Sequence, residues 1–371
     1  MSLVYKNFTV SALIVFSLLT GSVSGTSKNE SFRVGLANIY FFAHLLENNV
    51  QNPPFNRPHA TPPDEKIEKE FDRLSLEYLA RYVRYLDADV LVLCEAPSNL
   101  AHLRDFVGTY LNSEYEIIHN SVVVKDKKYY YEQQIAALVR KDLFIIRRYE
   151  ALDENSITTL NQMYPYPSSS SLELEGKVMR VYWSRFPIEF DLALKSDPEH
   201  WYKVIATYPK SKASKGHSDA IRARWKNFEQ QRVIRSRIES VHETFEDILI
   251  LGDMNDSEGM DPVEKELGID SIKALFQGED DPILWNPIKF SRGEGTYIYK
   301  GIPEVIDYIF LTHGLKSGKG WASEKNYEHF HFFKTMVRQT LPSKPDRLEK
   351  RGLFLSDHAP VTLDIYHNQR K

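Results

Sequence analysis

Val90-Leu91-Val92-Leu93-Cys94 and Ile248-Leu249-Ile250-Leu251 are stretches of this chain that admit no polar residue. A strand turns alternate side chains to opposite faces, so a strand that is apolar at every position is covered on both. Each run predicts a buried central strand, and each ends on an acid. Glu95 follows the first, and Gly252-Asp253-Met254-Asn255-Asp256 follows the second.

The rest of the chain supplies the partners for such strands. Phe32 to Ile39 reads as a first strand ending near Asn38, and the polar, proline-rich stretch from Asn48 to Pro63 reads as a long loop. From Asp64, Ile67, Phe71, Leu74, Tyr78, Tyr82 and Leu86 recur at helical spacing, which predicts an amphipathic helix. Further strands are expected over Ile135–Val139, Val178–Trp183, Lys203–Thr207, Val305–Leu311 and Ala359–Ile365. Ser168–Ser171 reads as a turn. Ile221 to Phe245 reads as a long charged helix with Trp225, Phe228, Val233 and Ile238 turned inward. The acidic motifs lie near both ends of the chain and between them, so dividing it would cut the site apart, and 31–368 is read as a single domain.

The chain of 371 residues carries a formal net charge of -4 at pH 7, which argues against a generally cationic nucleic-acid coat but leaves room for a local basic groove. Its start combines Lys6, an apolar run from Val10 to Leu19 and small residues through Gly25. That is the pattern of a secretory leader over 1–25, too short in its apolar part to span a bilayer, and it predicts a secreted or periplasmic protein with no stable membrane span once the leader is removed. Cys94 is the sole cysteine, so no intramolecular disulfide can form, and its apolar setting predicts a buried structural thiol. Nothing in the sequence fixes an oligomeric state.

If strand geometry persists past the second run, Asp253 and Asn255 project to the same face; a polar turn capping the strand accounts for that motif equally well. Glu95 either meets solvent or helps to hold a cation such as Mg²⁺, which takes hard oxygen ligands and commonly only one or two carboxylates, so Glu95 with an amide from Asn38 would suffice. In Ser356-Asp357-His358-Ala359-Pro360-Val361, an imidazolium at His358 would neutralise charge on a phosphoryl oxygen. Asp307, a charge inside the apolar run Ile306–Phe310, is the candidate partner that fixes the His358 tautomer.

Taken in order, Asn38, Asp89–Glu95, Gly252–Asp256, Ile306–Phe310 and Ser356–Val361 resemble the motifs of the endonuclease/exonuclease/phosphatase superfamily, which includes deoxyribonuclease I, exonuclease III, sphingomyelinases and inositol polyphosphate phosphatases. The resemblance implies an α/β (α+β) fold, a four-layer sandwich of two facing mixed β-sheets flanked by helices. It implies that Glu95 binds Mg²⁺, or Mn²⁺ in its place, with Asn38 and Asp357 beside it. Asp253 would orient or deprotonate the attacking water, Asn255 and Asn38 would hold the phosphate, and His358 with Asp307 would stabilise the transition state. One position departs from many members: Ala206-Thr207-Tyr208-Pro209-Lys210-Ser211 carries Tyr208 where they have a second histidine, as exonuclease III-like members do. Gln133 falls near the position of the glutamate that deoxyribonuclease I-like members pair with that histidine.

The phosphoester itself is less constrained. Lys203, Lys210, Lys212, Lys215, Arg222, Arg224 and Lys226 form a basic stretch that begins at the predicted site, and Lys210 and Lys212 are candidates to contact a nucleic-acid backbone. A solvated loop and helix face explains the same charges. Trp321–Phe333 is rich in aromatic residues that would suit bases, a lipid surface or a core. A nuclease is the first reading, a phosphatase or sphingomyelinase-like lipid phosphodiesterase the second, and a non-catalytic binding protein, motivated by Tyr208, the third.

Overall fold

In a computed structural model of the protein, both apolar runs are central strands packed on two sides. The structure describes residues 31–39, 65–97, 99–119, 133–148, 161–166, 171–180, 183, 185–276, 283–288, 290, 295–299, 302–318 and 358–367. The leader 1–25, the loop expected over 48–63, the aromatic segment 321–333 and Asp357 lie outside the described residues, as does most of the turn expected over 168–171.

The strands are β1 (Ser31–Asn38), β2 (Val90–Ala96), β3 (Tyr115–His119), β4 (Gln134–Arg140), β5 (Phe144–Arg148), β6 (Ser171–Leu174), β7 (Lys177–Arg180), β8 (Ile188–Leu194), β9 (Asp197–Thr207), β10 (Ile248–Asp253), β11 (Leu284–Trp285), β12 (Tyr297–Tyr299), β13 (Ile302–Glu304), β14 (Asp307–Thr312), β15 (Lys316–Ser317) and β16 (Val361–Tyr366). They build two six-stranded sheets, ordered β15-β16-β1-β2-β4-β3 and β11-β14-β10-β9-β8-β5, besides two small hairpins. Each sheet holds a parallel pair at its centre, β1 with β2 and β9 with β10, and every other pairing in it is antiparallel. The sheets are therefore mixed, and built alike.

Period-two alternation explains the layers. Val90, Val92 and Cys94 of β2 join Leu249 and Leu251 of β10 in one core between the sheets, while Leu91 and Leu93 face the other way and Ile248 and Ile250 do likewise. The outer face of the first sheet is covered by helices α1 (Glu65–Leu86) and α2 (Leu100–Tyr110), through Leu79, Val83, Leu103 and Phe106. The outer face of the second is covered by α3 (His217–His242), with α4 (Pro262–Leu267) and α5 (Ser271–Phe276) against it, through Val233, Ile234, Ile238 and Leu275. The result is the four-layer sandwich that the motif order implied. Each large aliphatic side chain buried in these interfaces contributes about 1.5–3 kcal/mol.

Two local expectations are corrected. Val178–Trp183 is not one strand: β7 ends at Arg180, and Trp183 packs instead against Tyr164, Tyr166 and Phe186 beneath α3. In α3, Val233 and Ile238 are buried as expected, but Trp225 and Phe228 are only partly so, and the buried face includes Asn227, Glu229, Gln230, Gln231 and Arg235. Hydrophobic periodicity is blind to a polar face that is buried because it makes hydrogen bonds.

Candidate active site

The inward-facing positions of four strands change from apolar to polar at one end of the sandwich. Phe32, Val34 and Leu36 of β1 are followed at the next inward position by Asn38; Tyr202, Val204 and Ala206 of β9 by Tyr208; Leu249 and Leu251 of β10 by Asp253; and Leu311 and Ile309 of the antiparallel β14 by Asp307. The parallel pairs make this meeting possible, because both deliver their carboxyl ends to the same edge.

Glu95 reaches the group by a different route. Strict alternation would send it outward with Leu91 and Leu93, but the register of β2 against β4 shifts between Cys94 and Ala96, and Glu95 adopts φ 61. Such a bulge re-aims one side chain. The Glu95 carboxylate is buried and accepts a hydrogen bond from the Tyr208 hydroxyl across the sheets at 2.7 Å. Burial, and then the Glu95 charge, push the Tyr208 phenol well above its ordinary pKa, so it stays a donor.

Asp253 is 1% exposed. Its Oδ2 accepts from Asn38 Nδ2 at 2.9 Å and its Oδ1 from the Asn255 backbone N–H at 2.8 Å. Burial raises its pKa to about 7; nearby His358 works against the rise and Asp307 adds to it. His358 Nδ1 lies 2.7 Å from Asp307 Oδ2, and its Nε2 lies 4.0 Å from Asp253 Oδ2. The His358 ring packs on Tyr297 at 4.9 Å between centroids, and the Asp307 N–H donates to Thr296 Oγ1 at 3.1 Å, so both members of the pair are held from behind. Asp253, Asp307 and His358 each offer a ligand atom within 4.8 Å of the others.

The structure thus brings Asn38, Glu95, Tyr208, Asp253, Asp307 and His358 to one end of the inter-sheet core. For Asn255 the structure decides between the two readings of its motif. The strand stops at Asp253, Asn255 takes φ 52, and its Nδ2 donates to the Pro209 carbonyl at 3.1 Å. A polar turn, not a continued strand, carries it to the site.

The basic stretch is not one patch. Lys203 lies among the acids Asp191 and Glu189 on β8, and Lys212 is engaged by Asp256, by Glu264 at 2.8 Å and by Asp261 at 3.7 Å. The charge of Lys212 is thus met inside the protein, at the acidic cap of α4, where Asp261 and Glu264 form a capping box. Arg224 is likewise tied to Asp261 at 2.9 Å. Lys210 is different. Burial and then the nearby Arg185 charge lower its pKa, and burial followed by Lys210 and Arg185 lowers that of Lys226 to about 8. Three cations therefore share one partly buried region.

Arg185 escaped the sequence reading. Its guanidinium lies 3.7 Å from the centre of the Tyr208 ring, and donates to the Pro209 carbonyl at 3.1 Å and to Gln133 Oε1 at 3.0 Å. Gln133 thus meets the site through Arg185. Asn227 of α3 was also missed: its Nδ2 donates to the carbonyls of Lys210 at 2.8 Å and Met254 at 2.9 Å, tying the loops after β9 and β10 together. No spacing in the sequence marks either residue, since both act through contacts between segments far apart in the chain.

The donors fit a hard divalent cation. Asn38 Oδ1 is buried and lacks a hydrogen-bond donor among the described residues, and the Glu95 carboxylate lies on the neighbouring strand, one residue beyond the Asn38–Cys94 pair. Oxygen donors of this kind suit Mg²⁺.

No family model matches the chain, and no curated protein does. Among solved structures, an endonuclease/exonuclease/phosphatase family protein from Bacteroides thetaiotaomicron aligns over 92% of this chain and 99% of its own, with 14% identity and a TM-score of 0.48. Truncated Caenorhabditis elegans TDP2 covers 91% and 98%, with 12% identity and a TM-score of 0.47. A mannosyl-6-phosphatase from B. thetaiotaomicron covers 91% and 100%, with 12% identity and a TM-score of 0.47. Each of these alignments spans about nine-tenths of this chain.

Proposed function

We propose that the protein is an exported, Mg²⁺-dependent phosphoester hydrolase that cleaves phosphodiester bonds of nucleic acid by in-line attack of water. The observation that carries the hydrolytic reading is the Asp307–His358 pair set beside Asp253, at 2.7 Å and 4.0 Å. Export rests on the leader-like start alone, and the nucleic-acid substrate on the cationic region of Arg185, Lys210 and Lys226 beside Tyr208 and Asn255.

Each side chain has a task its surroundings suit. Asp253 has one oxygen on Asn38 and the other on the Asn255 amide, so its carboxylate is fixed in direction, and a pKa raised by burial makes it a stronger base for a water proton. Asp307 holds Nδ1 of His358, which directs Nε2 toward the phosphoryl oxygen on which charge develops. Glu95 and Asn38, with Asp357, would hold Mg²⁺ or Mn²⁺, which when bound supplies Lewis-acid stabilisation of the phosphate and the leaving oxygen. Tyr208 fixes the Glu95 carboxylate through its hydroxyl, which donates the hydrogen bond that an imidazole N–H could also supply, so its presence is compatible with a working site.

The purified mature chain should nick plasmid DNA or degrade RNA with Mg²⁺, lose that activity in EDTA and recover it on Mg²⁺ addition. Turnover of phosphoinositides or sphingomyelin alone would overturn the nuclease assignment. Absence of turnover on all of these substrates, with the fold intact, would overturn the hydrolase reading.

A further inference from the structure

The inter-sheet core has a second end, and it too closes on polar side chains. Continuing the inward positions in the opposite direction, Val204 and Tyr202 of β9 lead to His200, Leu249 of β10 leads back to Asp247, and Leu363 and Ile365 of β16 lead on to His367. Asp197 joins them because the β8–β9 register jumps from Ala193↔Trp201 to Leu194↔Asp197, which bulges the start of β9. His200 is roughly 20 Å or more from Thr207 along the strand, so this cluster is separate from the hydrolytic site.

We propose that Asp197, His200 and His367 form a zinc site that clips the two sheets together at this end. One ligand atom from each lies within 4.8 Å of the others. Two donors about 2.0–2.1 Å from a tetrahedral zinc ion stand roughly 3.3 Å apart, and His367 Nε2 lies 3.1 Å from Asp197 Oδ2. The other nitrogen of His367, Nδ1, is 2.6 Å from the Tyr202 hydroxyl, the kind of outer contact that fixes the tautomer of a ligating imidazole. Asp247 Oδ2 is 2.7 Å from His200 Nε2 but makes no directed hydrogen bond with it, so a buried ring nitrogen is left for an ion to satisfy. The His367 side chain is fully buried and those of His200 and Asp247 are 11% and 10% exposed, whereas Asp197 at 26% leaves a way in.

Charge and donor type select the ion. Two carboxylates beside two neutral imidazoles are balanced by one divalent cation, and imidazole nitrogen with carboxylate oxygen suits zinc better than magnesium. Two imidazolium ions would balance the same carboxylates, and that arrangement is the competing outcome.

The test uses the full chain, stripped with chelator and titrated with Zn²⁺ by calorimetry, alongside a D253N/H358Q variant made on an E95Q background, so that the Glu95 carboxylate is removed together with two members of the hydrolytic cluster. This triple variant should still bind one Zn²⁺ per chain and gain thermal stability from it. Adding D197N or H200Q should weaken that binding by roughly tenfold to a hundredfold or more and abolish the stability gain, with the circular dichroism spectrum unchanged. Should H200Q fail to fold, D197N, whose side chain is partly exposed, decides. Failure of the triple variant to take up zinc, or undiminished affinity on adding D197N, overturns the proposal, as does a stability that responds to protons at this cluster and not to zinc.

Discussion

Asp253 shows how position on a strand sets the surroundings of a single residue. It occupies the inward position after Leu251, where the apolar core gives way, and the carboxamide of Asn38 and the amide of Asn255 hold its two oxygens. Asp253→Asn keeps the shape and removes the base, so turnover should fall roughly a hundredfold or more while the melting temperature changes little. An unchanged rate would remove Asp253 from the chemistry. Tyr208→Phe isolates a different effect. It deletes the hydroxyl that orients Glu95, and the Mg²⁺ concentration for half-maximal activity should rise by roughly tenfold or more, by analogy with the loss of other groups that orient metal ligands. Equal Mg²⁺ dependence in the two proteins would show that the Tyr208–Glu95 bond has no such role.

At the scale of elements, two backbone features put the site together. Gly252 packs against β9 so closely that a Cβ there would overlap the Thr207 carbonyl oxygen. Gly252→Ala should cost about 1–3 kcal/mol in a urea titration, because the parallel pair that carries Asp253 must open; a cost near zero would mean that β9 and β10 approach less closely than described. The second feature, the bulge at Glu95, was not legible in the sequence, where Glu95 reads simply as the acid ending an apolar strand. Buried strands were legible because both faces need apolar cover, whereas a bulge and a left-handed residue leave no periodic trace. β3 carries a titratable group of its own. His119 lies buried with Nε2 2.7 Å from the Pro97 carbonyl, and burial lowers its pKa in the folded state. The unfolded chain, with an ordinary histidine near pH 6.5, therefore binds the proton first as pH falls. The stability contribution of neutral His119 is complete above about pH 6.5 and is lost as pH drops below it toward the folded-state value. Urea midpoints measured at pH 7.5 and 5.5 should differ more in the wild type than in His119→Gln; equal differences would place the acid sensitivity elsewhere.

At the scale of the whole molecule, the described residues place a polar cluster at each end of a shared apolar core, between two sheets built alike. Each contributes a parallel pair whose carboxyl ends meet at the candidate active site, so Asn38 and Asp253, 215 positions apart, form one hydrogen bond. Much of this was legible: the acids ending buried strands, Asp307 as the partner of His358, and the four layers implied by the motif order. Arg185 over Tyr208, Asn227 between two loops and the neutralisation of Lys212 by Asp256 and Glu264 were not, because each depends on which segments fold next to one another. The central claim, that residues from both sheets act as one hydrolytic unit, is tested most directly by a double-mutant cycle. Hydrolysis of the activated diester bis(p-nitrophenyl) phosphate with Mg²⁺ would be measured for the wild type, Asp307→Asn, His358→Gln and the double variant. The account predicts a loss of roughly a hundredfold or more for His358→Gln, a substantial loss for Asp307→Asn, and a double variant little worse than His358→Gln alone. Losses that simply multiply, or no loss in either single variant, would contradict it.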